Sequence, residues 1–271
     1  MPELPEVETT RLGLLPHLKD RRIADLVVRD GRLRWPIAPD LASLIRGCSI
    51  VDVSRRAKYL LIDCGRGHLI IHLGMSGSLR VVAPERPPAK HDHYDIVLAN
   101  RQIVRFTDPR RFGSLHWTEN SPAQHVLLQK LGPEPLSEAF NGRALFHATR
   151  GRTASIKQFL MDQHHVVGVG NIYASEALFR ASVRPQTAAQ RVGLARCERI
   201  AQSIKHTLQL ALKAGGSTLR DFVNSDGEPG SFQLSYRVYD RAGKPCFRCG
   251  GAIRTIRQGQ RSTFYCATCQ R

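Results

Sequence analysis

Hydrophobic and polar residues alternate in short runs between Arg22 and Trp117. Such alternation is typical of strands with one buried and one exposed face. Clusters of glycine, proline, aspartate and asparagine separate several of the runs, as turns require. Regularly spaced short strands predict an antiparallel sandwich or barrel. The predicted strands are Ile23–Arg29, Ile50–Ser54, Tyr59–Asp63, Leu69–Leu73, Leu79–Val82, Tyr94–Leu98, Ile103–Phe106 and Ser114–Trp117.

The pattern changes to helical spacing after Gly132-Pro133-Glu134-Pro135, our candidate hinge between two domains. Before the hinge, Ser121-Pro122 has the form of an N-cap followed by proline and predicts a helix to about Leu131. Gly215-Gly216 ends the last long helix, and Asp226–Gly230 is a loop long enough to be a lid. The predicted helices of this region are Ser137–Thr149, Thr153–Met161, Ile172–Ala181 and Thr187–Ala214.

The net charge of the chain limits the classes of partner that it could bind. Its 271 residues include 40 Lys and Arg against 23 Asp and Glu, a formal net charge of +17. The excess is spread over the whole chain and indicates a polyanionic partner, most commonly nucleic acid. A membrane surface is the rival interpretation, but no basic amphipathic helix dominates and no apolar run is long enough to span a membrane. The acidic N-terminus contains no apolar stretch, so we expect no signal peptide and a reducing, cytoplasmic, nucleoid-associated location.

The N-terminal segment Pro2–Glu8 is the first candidate for chemistry. Removal of Met1 would leave Pro2 with a free secondary amine, whose reference pKa is about 8. Such an amine attacks an aldehyde carbon to give a cationic, electron-withdrawing iminium. Glu3 beside it is a possible proton donor, and Pro5 suits the first turn of a helix. The alternative is a frayed acidic tail that caps an ordinary helix.

Two cysteine pairs near the C-terminus form the most specific single motif. Cys246 and Cys249 are separated by two residues, as are Cys266 and Cys269, and this spacing suits one tetrahedral Zn²⁺. Four sulfur ligands leave no open position, so the metal should be structural. The segment between the pairs contains several arginines, Arg261 among them, and is either a phosphate or groove probe or a solvated hairpin.

Three further groups carry weaker signals. Val167-Gly168-Val169-Gly170-Asn171 is a glycine loop before a helix, which favours an anion but also suits a plain packing joint. Lys157 adds a nearby positive charge. Asp108–Gly113 includes two arginines and an aromatic residue that could hold phosphates and enter a base stack. Met75, Phe112 and Arg110 taken singly have ordinary interpretations, as core residues or a solvated face, and Lys58 at a strand start normally points to solvent.

Taken together, these motifs closely resemble those of the formamidopyrimidine-DNA glycosylase family, bacterial enzymes that excise oxidised purines. The matching segments occur in order from end to end. The Leu4 and Met75 positions favour this family over the sister endonuclease VIII group. The segments are Pro2–Glu8, Arg55–Leu61, His72–Arg80, Lys90–Asp95, Thr107–Gly113, Val166–Phe179 and Pro245–Arg271.

The resemblance implies an α+β fold of two domains that hold DNA between them. An N-terminal helix and antiparallel β-sandwich would occupy residues 1–131. A helical domain with a helix–two-turns–helix motif would occupy residues 132–230, and a zinc-ribbon finger residues 231–271. We further expect a monomer with one structural Zn²⁺.

The resemblance also implies roles for single residues. Pro2 would attack C1′ of the damaged nucleotide, Glu3 would donate a proton to the sugar ring oxygen, and β- and then δ-elimination would cut both flanking phosphate bonds. Lys58 would lie near the nucleotide's phosphate. Met75, Arg110 and Phe112 would fill the space left by the flipped base, with Arg110 favouring an orphaned cytosine. The remaining proposed DNA-binding residues are His91, Arg111, Lys157, Asn171 and Arg261, and the region 226–236 would close over the base.

Three functions stay open on the sequence alone. The first is the bifunctional glycosylase and lyase acting on oxidised purines opposite cytosine in duplex DNA. The second is a zinc-ribbon nucleic-acid binder without catalytic activity. The third keeps the chemistry but acts on oxidised pyrimidines. The chain has one notable departure from the family, Asp240, where members often have glycine.

Overall fold

The computed structural model describes residues 2–217 and 230–271. The chain divides into two compact units, each described here by itself. The first unit contains residues up to Gln129 together with the described part of Ala214–Ser231. The second contains Lys130–Lys213 and Phe232–Arg271. No helix of the described residues is both long and apolar enough to cross a membrane.

The first unit is built on two antiparallel four-stranded sheets, as the alternating pattern predicts. The strands are β1 Ile23–Val28, β2 Asp52–Arg56, β3 Tyr59–Asp63, β4 His68–His72, β5 Ser78–Val82, β6 Asp92–Leu98, β7 Ile103–Thr107 and β8 Ser114–Thr118. One sheet has the order β1-β6-β7-β5 and the other β2-β3-β4-β8. A two-residue turn joins β2 to β3, which pair from Asp52 opposite Asp63 to Arg56 opposite Tyr59.

One hydrophobic core holds the two sheets and the N-terminal helix α1, Leu4–Leu18, together. Tyr94 and Phe106 from one sheet stack in this core with ring centroids 4.9 Å apart. Val7, Leu14 and Leu18 of α1 are buried in the same cluster. The helix is therefore fixed to the sandwich through its apolar face, which the spacing of these residues predicts.

The second unit contains most of the helical structure. After α1, the helices are α2 Leu41–Ile45 in the first unit and α3 Gly142–Thr149, α4 Ile156–Met161, α5 Asn171–Arg180 and α6 Leu194–Lys213 in the second. The long helix α6 packs against α3 and α5. Side-chain caps fix the starts of α3 and α4, because Asn141 accepts the backbone N–H of Ala144 and Ser155 accepts that of Gln158.

Several predicted helix boundaries are wrong, and capping explains two of them. The helix predicted from Ser137 begins only after Asn141, and the one predicted from Thr153 begins after Ser155. The predicted helix from Thr187 is a short 3₁₀ turn followed by α6, with Gly193 between them. Residues 121–131 form only a 3₁₀ turn at Pro122–Gln124. Val126 there is 71% exposed, so the segment has no continuous apolar face to stabilise a helix.

The C-terminal ribbon is a hairpin of β9, Ile253–Gln258, and β10, Arg261–Cys266. Its small core joins Cys246, Ile253 and Cys266 to Val238 and to Phe179 near the end of α5. Asp240 has a φ of 54°, the left-handed region that glycine enters without strain. Aspartate tolerates this region better than most residues.

Candidate active site and nucleic-acid interface

Pro2 and Glu3 lie at the first turn of α1, and both are buried. Glu3 is the N-cap of the helix and forms a capping box with Glu6, in which each side chain accepts the other's backbone N–H. The bond from the Glu3 N–H to Glu6 Oε2 is 2.8 Å long. The two residues predicted for catalysis therefore sit on a well-defined helix end. Met1 lies outside the described residues.

Glu6 is a second buried carboxylate at this end, and sequence reasoning assigned it only to the helix dipole. It is 2% exposed, and its Oε1 accepts the backbone N–H of Ser217 at 2.8 Å. Gly216 lies so close that an added Cβ would meet Glu6 Oε1 at 3.0 Å. Glu6 thus links the start of α1 to the chain after α6. The three-residue spacing from Glu3, typical of a capping box, is the signal that could have identified it. Residues 226–229 of the predicted lid lie outside the described residues.

Lys58 occupies the two-residue turn between β2 and β3 and is 4% exposed. The ordinary expectation that a lysine at a strand start points to solvent is therefore wrong. Arg55 positions this turn, because it donates to the carbonyl of Ala57 at 2.8 Å and to Glu8 Oε2 of α1 at 2.9 Å. Burial raises the pKa of Glu8, but the bonds and charges of Arg11 and Arg55 outweigh it and lower the pKa overall. The Lys58 turn is thus tied to the helix that begins at Glu3.

His72 links Lys58 to the Met75 turn. Burial, with the charge of Lys58 acting in the same direction, lowers the pKa of His72 to about 4. The imidazole is therefore neutral at pH 7. Its Nδ1 accepts the backbone N–H of Gly74 at 3.0 Å, which places the ring proton on Nε2.

Asp108 brings together the two loops that were predicted to enter the base stack. Its side chain is fully buried, and its Oδ1 accepts the Ser76 hydroxyl at 2.6 Å and the Arg110 N–H at 3.2 Å. Its Oδ2 accepts the Gly113 N–H at 2.8 Å. One carboxylate therefore holds the Met75 turn and the Arg110 loop in a single arrangement. Sequence reasoning missed this role, although an aspartate directly before proline is a typical turn initiator.

The side chains carried by these loops are exposed at one surface of the first unit. Met75 is 38% exposed and Phe112 is 42% exposed, so the alternative that they are core residues does not hold. The guanidinium of Arg110 lies over the Phe112 ring, 4.9 Å from its centroid. At Gly74 an added Cβ would lie 2.4 Å from the Phe112 backbone, so only glycine allows the two loops to approach.

The other two predicted DNA-binding residues of this unit lie beside the same loop. The carbonyl of His91 accepts the Asp108 N–H at 3.0 Å. Arg111 has a φ of 57° and forms an ion pair with Asp30, with 2.9 Å between Nη2 and the carboxylate. Arg111 is half-exposed, so its ion pair with Asp30 is solvated. It also lies next to Arg110 in the chain.

In the second unit, Lys157 and Asn171 form one buried polar cluster. Lys157 is 1% exposed, and its ammonium donates to Asn171 Oδ1 at 2.6 Å and to Thr263 Oγ1 at 2.8 Å. A third bond of 3.1 Å reaches the carbonyl of Ser262. The lysine thus fixes the start of α5 to β10.

Asn171 is the first residue of α5, after Gly170, and its amide is oriented by the bond to Lys157. Glu176, one turn further along, is buried and accepts the backbone N–H groups of residues 237–239 at 2.8 to 2.9 Å. This anchors Tyr239, whose hydroxyl lies 3.5 Å from Asn171 Nδ2. Arg261 begins β10 beside the hairpin turn and is exposed.

The four C-terminal cysteines meet at one point. Their sulfur atoms all lie within 4.8 Å of one another. Four sulfurs around Zn²⁺ at about 2.3 Å would lie roughly 3.8 Å apart, and Cys246 and Cys269 are 3.9 Å apart. Backbone N–H groups of Arg248 and Cys269 point at the sulfurs of Cys246 and Cys266. Burial and the adjacent thiols raise the pKa of Cys269 to about 12, which a bound cation reverses because it ligates thiolate. The donor set fits a closed structural zinc site.

Three family profiles match the chain in succession. They are the formamidopyrimidine-DNA glycosylase N-terminal domain over residues 1–115 and the H2TH domain of the same enzymes over residues 131–223. The zinc finger found in FPG and IleRS covers residues 243–271. The formamidopyrimidine-DNA glycosylase of Methylococcus capsulatus is 53% identical over 271 residues, which cover both chains completely.

The chain belongs to the formamidopyrimidine-DNA glycosylase family. Solved structures of the family agree with the fold. The MutM (Fpg) protein of Thermus thermophilus is 39% identical, with a TM-score of 0.89 over 99% of this chain and 98% of that one. The wild-type Lactococcus lactis Fpg bound to DNA containing N7-benzyl-Fapy-dG is 33% identical, with a TM-score of 0.92 over 99% of each chain.

Family membership confirms several of the predictions made from the sequence. The α+β fold class, the base excision repair glycosylase with abasic-site lyase activity, the DNA partner and the single structural Zn²⁺ are all confirmed. The interpretation as a binder without catalytic activity is therefore set aside. The domain boundaries and the roles of single residues stay predictions.

Proposed function

We propose that this chain removes oxidised purines such as 8-oxoguanine and formamidopyrimidines from duplex DNA through its N-terminal proline. The observation that carries the proposal is the buried pair of Pro2 and Glu3 at the capped start of α1, in a chain of this family. Once Met1 is removed, the Pro2 nitrogen attacks C1′ of the damaged nucleotide and the base leaves. Glu3 protonates the ring oxygen, and the opened sugar stays bound as an iminium.

The iminium then directs strand cleavage. It withdraws electrons from the sugar and acidifies its α-hydrogen, so β-elimination breaks the bond to the 3′ phosphate. The subsequent δ-elimination breaks the bond to the 5′ phosphate, and hydrolysis of the iminium frees Pro2. Lys58 lies in a buried turn tied to α1 through Arg55 and Glu8, which supports a place for its charge near the nucleotide's phosphate.

The loops held by Asp108 are proposed to replace the flipped base. Met75 and Phe112 supply exposed apolar surface, and Arg110 is steadied by its contact with Phe112. A guanidinium donates to the acceptor edge of an orphaned cytosine, whereas adenine presents an amino group there. We therefore infer a preference for cytosine opposite the lesion.

We propose that the DNA phosphates on either side of the damaged nucleotide contact His91, Arg111, Asn171 and Arg261. Lys157 is assigned to the same set as a residue that orients Asn171. The basic excess over the whole chain supports association with the nucleoid in the cytoplasm, and we propose that the protein acts as a monomer.

Borohydride trapping tests the central step. The mature protein, with the loss of Met1 confirmed by intact mass, should form a covalent adduct with duplex DNA containing 8-oxoguanine opposite cytosine. Pro2→Gly replaces the secondary amine with a primary one and should weaken the adduct, protein that retains Met1 should form no adduct at this position, and Glu3→Gln should abolish excision. Correctly processed protein that cleaves the DNA without any trapped adduct would rule out the proline nucleophile.

A second candidate substrate is an oxidised pyrimidine. The Lactococcus lactis protein has been crystallised with DNA containing an oxidised pyrimidine, at 32% identity to this chain. Excision of 8-oxoguanine and of thymine glycol, each opposite its normal partner and compared in one assay, separates the two. Faster removal of thymine glycol would make the pyrimidine the principal substrate.

A further inference from the structure

A pocket in the second unit lies between the end of α5, the C-terminal half of α6 and the first zinc-binding turn, and none of the roles proposed above uses it. Its lining is mixed, with three arginines beside exposed apolar and aromatic side chains. The lining includes Phe179, Arg180, Thr207, Leu210, Arg237 and Phe247.

Basic side chains outnumber the one acid in this pocket, because Arg180, Arg237 and Arg248 line it beside Glu176 alone. Glu176 also lines the pocket, but its carboxylate is occupied by the backbone N–H groups of residues 237–239. Within residues 2–217 and 230–271, neither Arg180 nor Arg237 forms an ion pair. Arg248, also on the rim, instead donates to the carbonyls of Phe179 and Arg180, both at 3.3 Å. Burial and the charges of Arg248 and Arg237 lower the pKa of Arg180.

Thr207 provides an independent sign of a missing ligand. The residue is 3% exposed, lines the pocket, and its hydroxyl has no hydrogen-bond partner among the described residues. Buried hydroxyl groups are almost always paired, because burial without a partner costs free energy. A polar group of a bound molecule would satisfy it.

The pocket also presents exposed apolar surface. Phe247 is 63% exposed and Leu210 is 38% exposed. The guanidinium groups of Arg237 and Arg241 lie 5.3 and 3.7 Å from the centre of the Phe247 ring. Arginine combined with exposed aromatic surface is typical of protein interfaces.

The location of the pocket separates it from the residues proposed to hold phosphates. Asn171 and Arg180 stand at opposite ends of α5, roughly 14 Å apart along the helix. Arg261 and the zinc ligand Cys266 stand at opposite ends of β10, roughly 17 Å apart. A duplex held at Asn171 and Arg261 therefore contacts the other ends of both elements.

We propose that this pocket docks an acidic peptide segment of a partner protein. Carboxylates of the segment bind Arg180 and Arg237, a polar group meets the Thr207 hydroxyl, and an adjacent aromatic or aliphatic side chain packs against Phe247 and Leu210. The site is independent of catalysis, so it does not depend on the function proposed above.

Fluorescence anisotropy with the full-length, zinc-loaded protein tests this. The probe is a labelled synthetic peptide with a short run of aspartates followed by leucine and phenylalanine. One control peptide replaces the aspartates with lysines, and another replaces the two apolar residues with alanines. Arg180→Gln and Arg237→Gln should each weaken binding of the probe by roughly tenfold, because each removes a charge-assisted hydrogen bond.

Arg196→Gln is the matched control, since Arg196 is an exposed arginine on α6 and the charge change is the same. It should bind the probe as the parent protein does, and all three variants should excise 8-oxoguanine alike. The proposal is overturned if either control peptide binds as tightly as the probe. It is also overturned if Arg180→Gln and Arg237→Gln match Arg196→Gln. Displacement of the probe by duplex DNA, with weaker DNA binding by Arg180→Gln than by Arg196→Gln, would instead make the pocket a phosphate site.

Discussion

At the scale of single residues, Asp108 illustrates how much of a surface can depend on one buried carboxylate. The side chains proposed to meet DNA, Met75, Arg110 and Phe112, are on two loops more than thirty positions apart. Asp108 accepts hydrogen bonds from both loops and has no exposed surface. Hydrogen bonds to a buried charge stabilise a structure more than ordinary hydrogen bonds do. Neutralising the Asp108 carboxylate should therefore displace both loops.

Asp108→Asn should lower excision of 8-oxoguanine from duplex DNA by roughly ten- to a hundredfold. Asparagine keeps the shape, but its amide must face either a backbone N–H or the Ser76 hydroxyl. Cleavage of a preformed abasic site needs no base to be held out of the stack and should change much less. The two activities are measured on matched duplexes, with Asp40→Asn, at an exposed aspartate, as the control. Equal losses on both substrates would indicate general destabilisation instead of loop positioning.

At the scale of secondary-structure elements, buried charges join strands and helices that are distant in sequence. Asp95 on β6 binds Arg105 on β7 and Arg29 just after β1, with N–O distances between 2.6 and 2.9 Å. Its side chain is 6% exposed. In the second unit Lys157 similarly joins α4, α5 and β10. Alternation and helical spacing predict the elements, but neither pattern shows these connections.

Protonation of Asp95 should lower the free energy of unfolding at acid pH. Burial raises its pKa, but the hydrogen bonds from Arg29 and Arg105 outweigh burial and lower the pKa below the ordinary value of 3.8. Its contribution is therefore fully present above pH 3.8 and is lost as the pH falls through the lower, folded pKa. Asp95→Asn should cost about 3 kcal/mol of unfolding free energy at pH 7 and less at pH 2. Urea unfolding at both pH values measures this, and an equal cost at both would contradict the assignment.

Lys157→Met tests whether this lysine contacts phosphate or only orients Asn171. A direct phosphate contact contributes about −0.9 to the slope of log affinity against log salt concentration, whereas an orienting role contributes nothing. We expect weaker duplex binding with an unchanged slope. Arg261→Gln, which removes an exposed cation, should reduce the magnitude of the slope by about 0.9. Lys130→Met, at an exposed lysine, is the control for loss of charge. If Lys157→Met reduces the slope as much as Arg261→Gln does, Lys157 contacts a phosphate directly.

At the scale of the whole molecule, the protein combines a β-sandwich unit with a helical unit that ends in a zinc ribbon. The β-sandwich unit and the zinc ribbon each have an apolar core. The ribbon core is small and depends on the four cysteines, because few apolar residues surround them. A small module of this kind draws much of its folding free energy from the metal.

Zinc removal should therefore unfold the ribbon and leave the sandwich folded. Chelation, or Cys249→Ser, is expected to weaken duplex binding by at least about tenfold, because Arg261 and two partners of Lys157, Ser262 and Thr263, are on the ribbon hairpin. Circular dichroism should retain the β-sheet signal, and re-addition of Zn²⁺ should restore binding of the chelated protein. Global unfolding on chelation would contradict this independence of the sandwich.

The sequence by itself determined the features that depend on local spacing. Eight alternating runs predicted eight strands, two cysteine pairs predicted the metal site, and the ordered motifs predicted the family. Each of these signals lies within a few residues of chain, where spacing alone limits what the backbone and side chains can do. The helix predicted from Ser121 failed because a local start signal does not guarantee an apolar face to bury.

Only the tertiary structure decided the contacts between residues far apart in the chain. Asp108 with Ser76, Glu6 with Ser217 and Lys157 with Thr263 are joined by folding, and no local pattern marks one as the partner of the other. Burial also changed what the charged side chains can do. Lys58, which a strand start would normally place in solvent, and Lys157 both lie inside the protein, because compensating partners offset the cost of removing a charge from water.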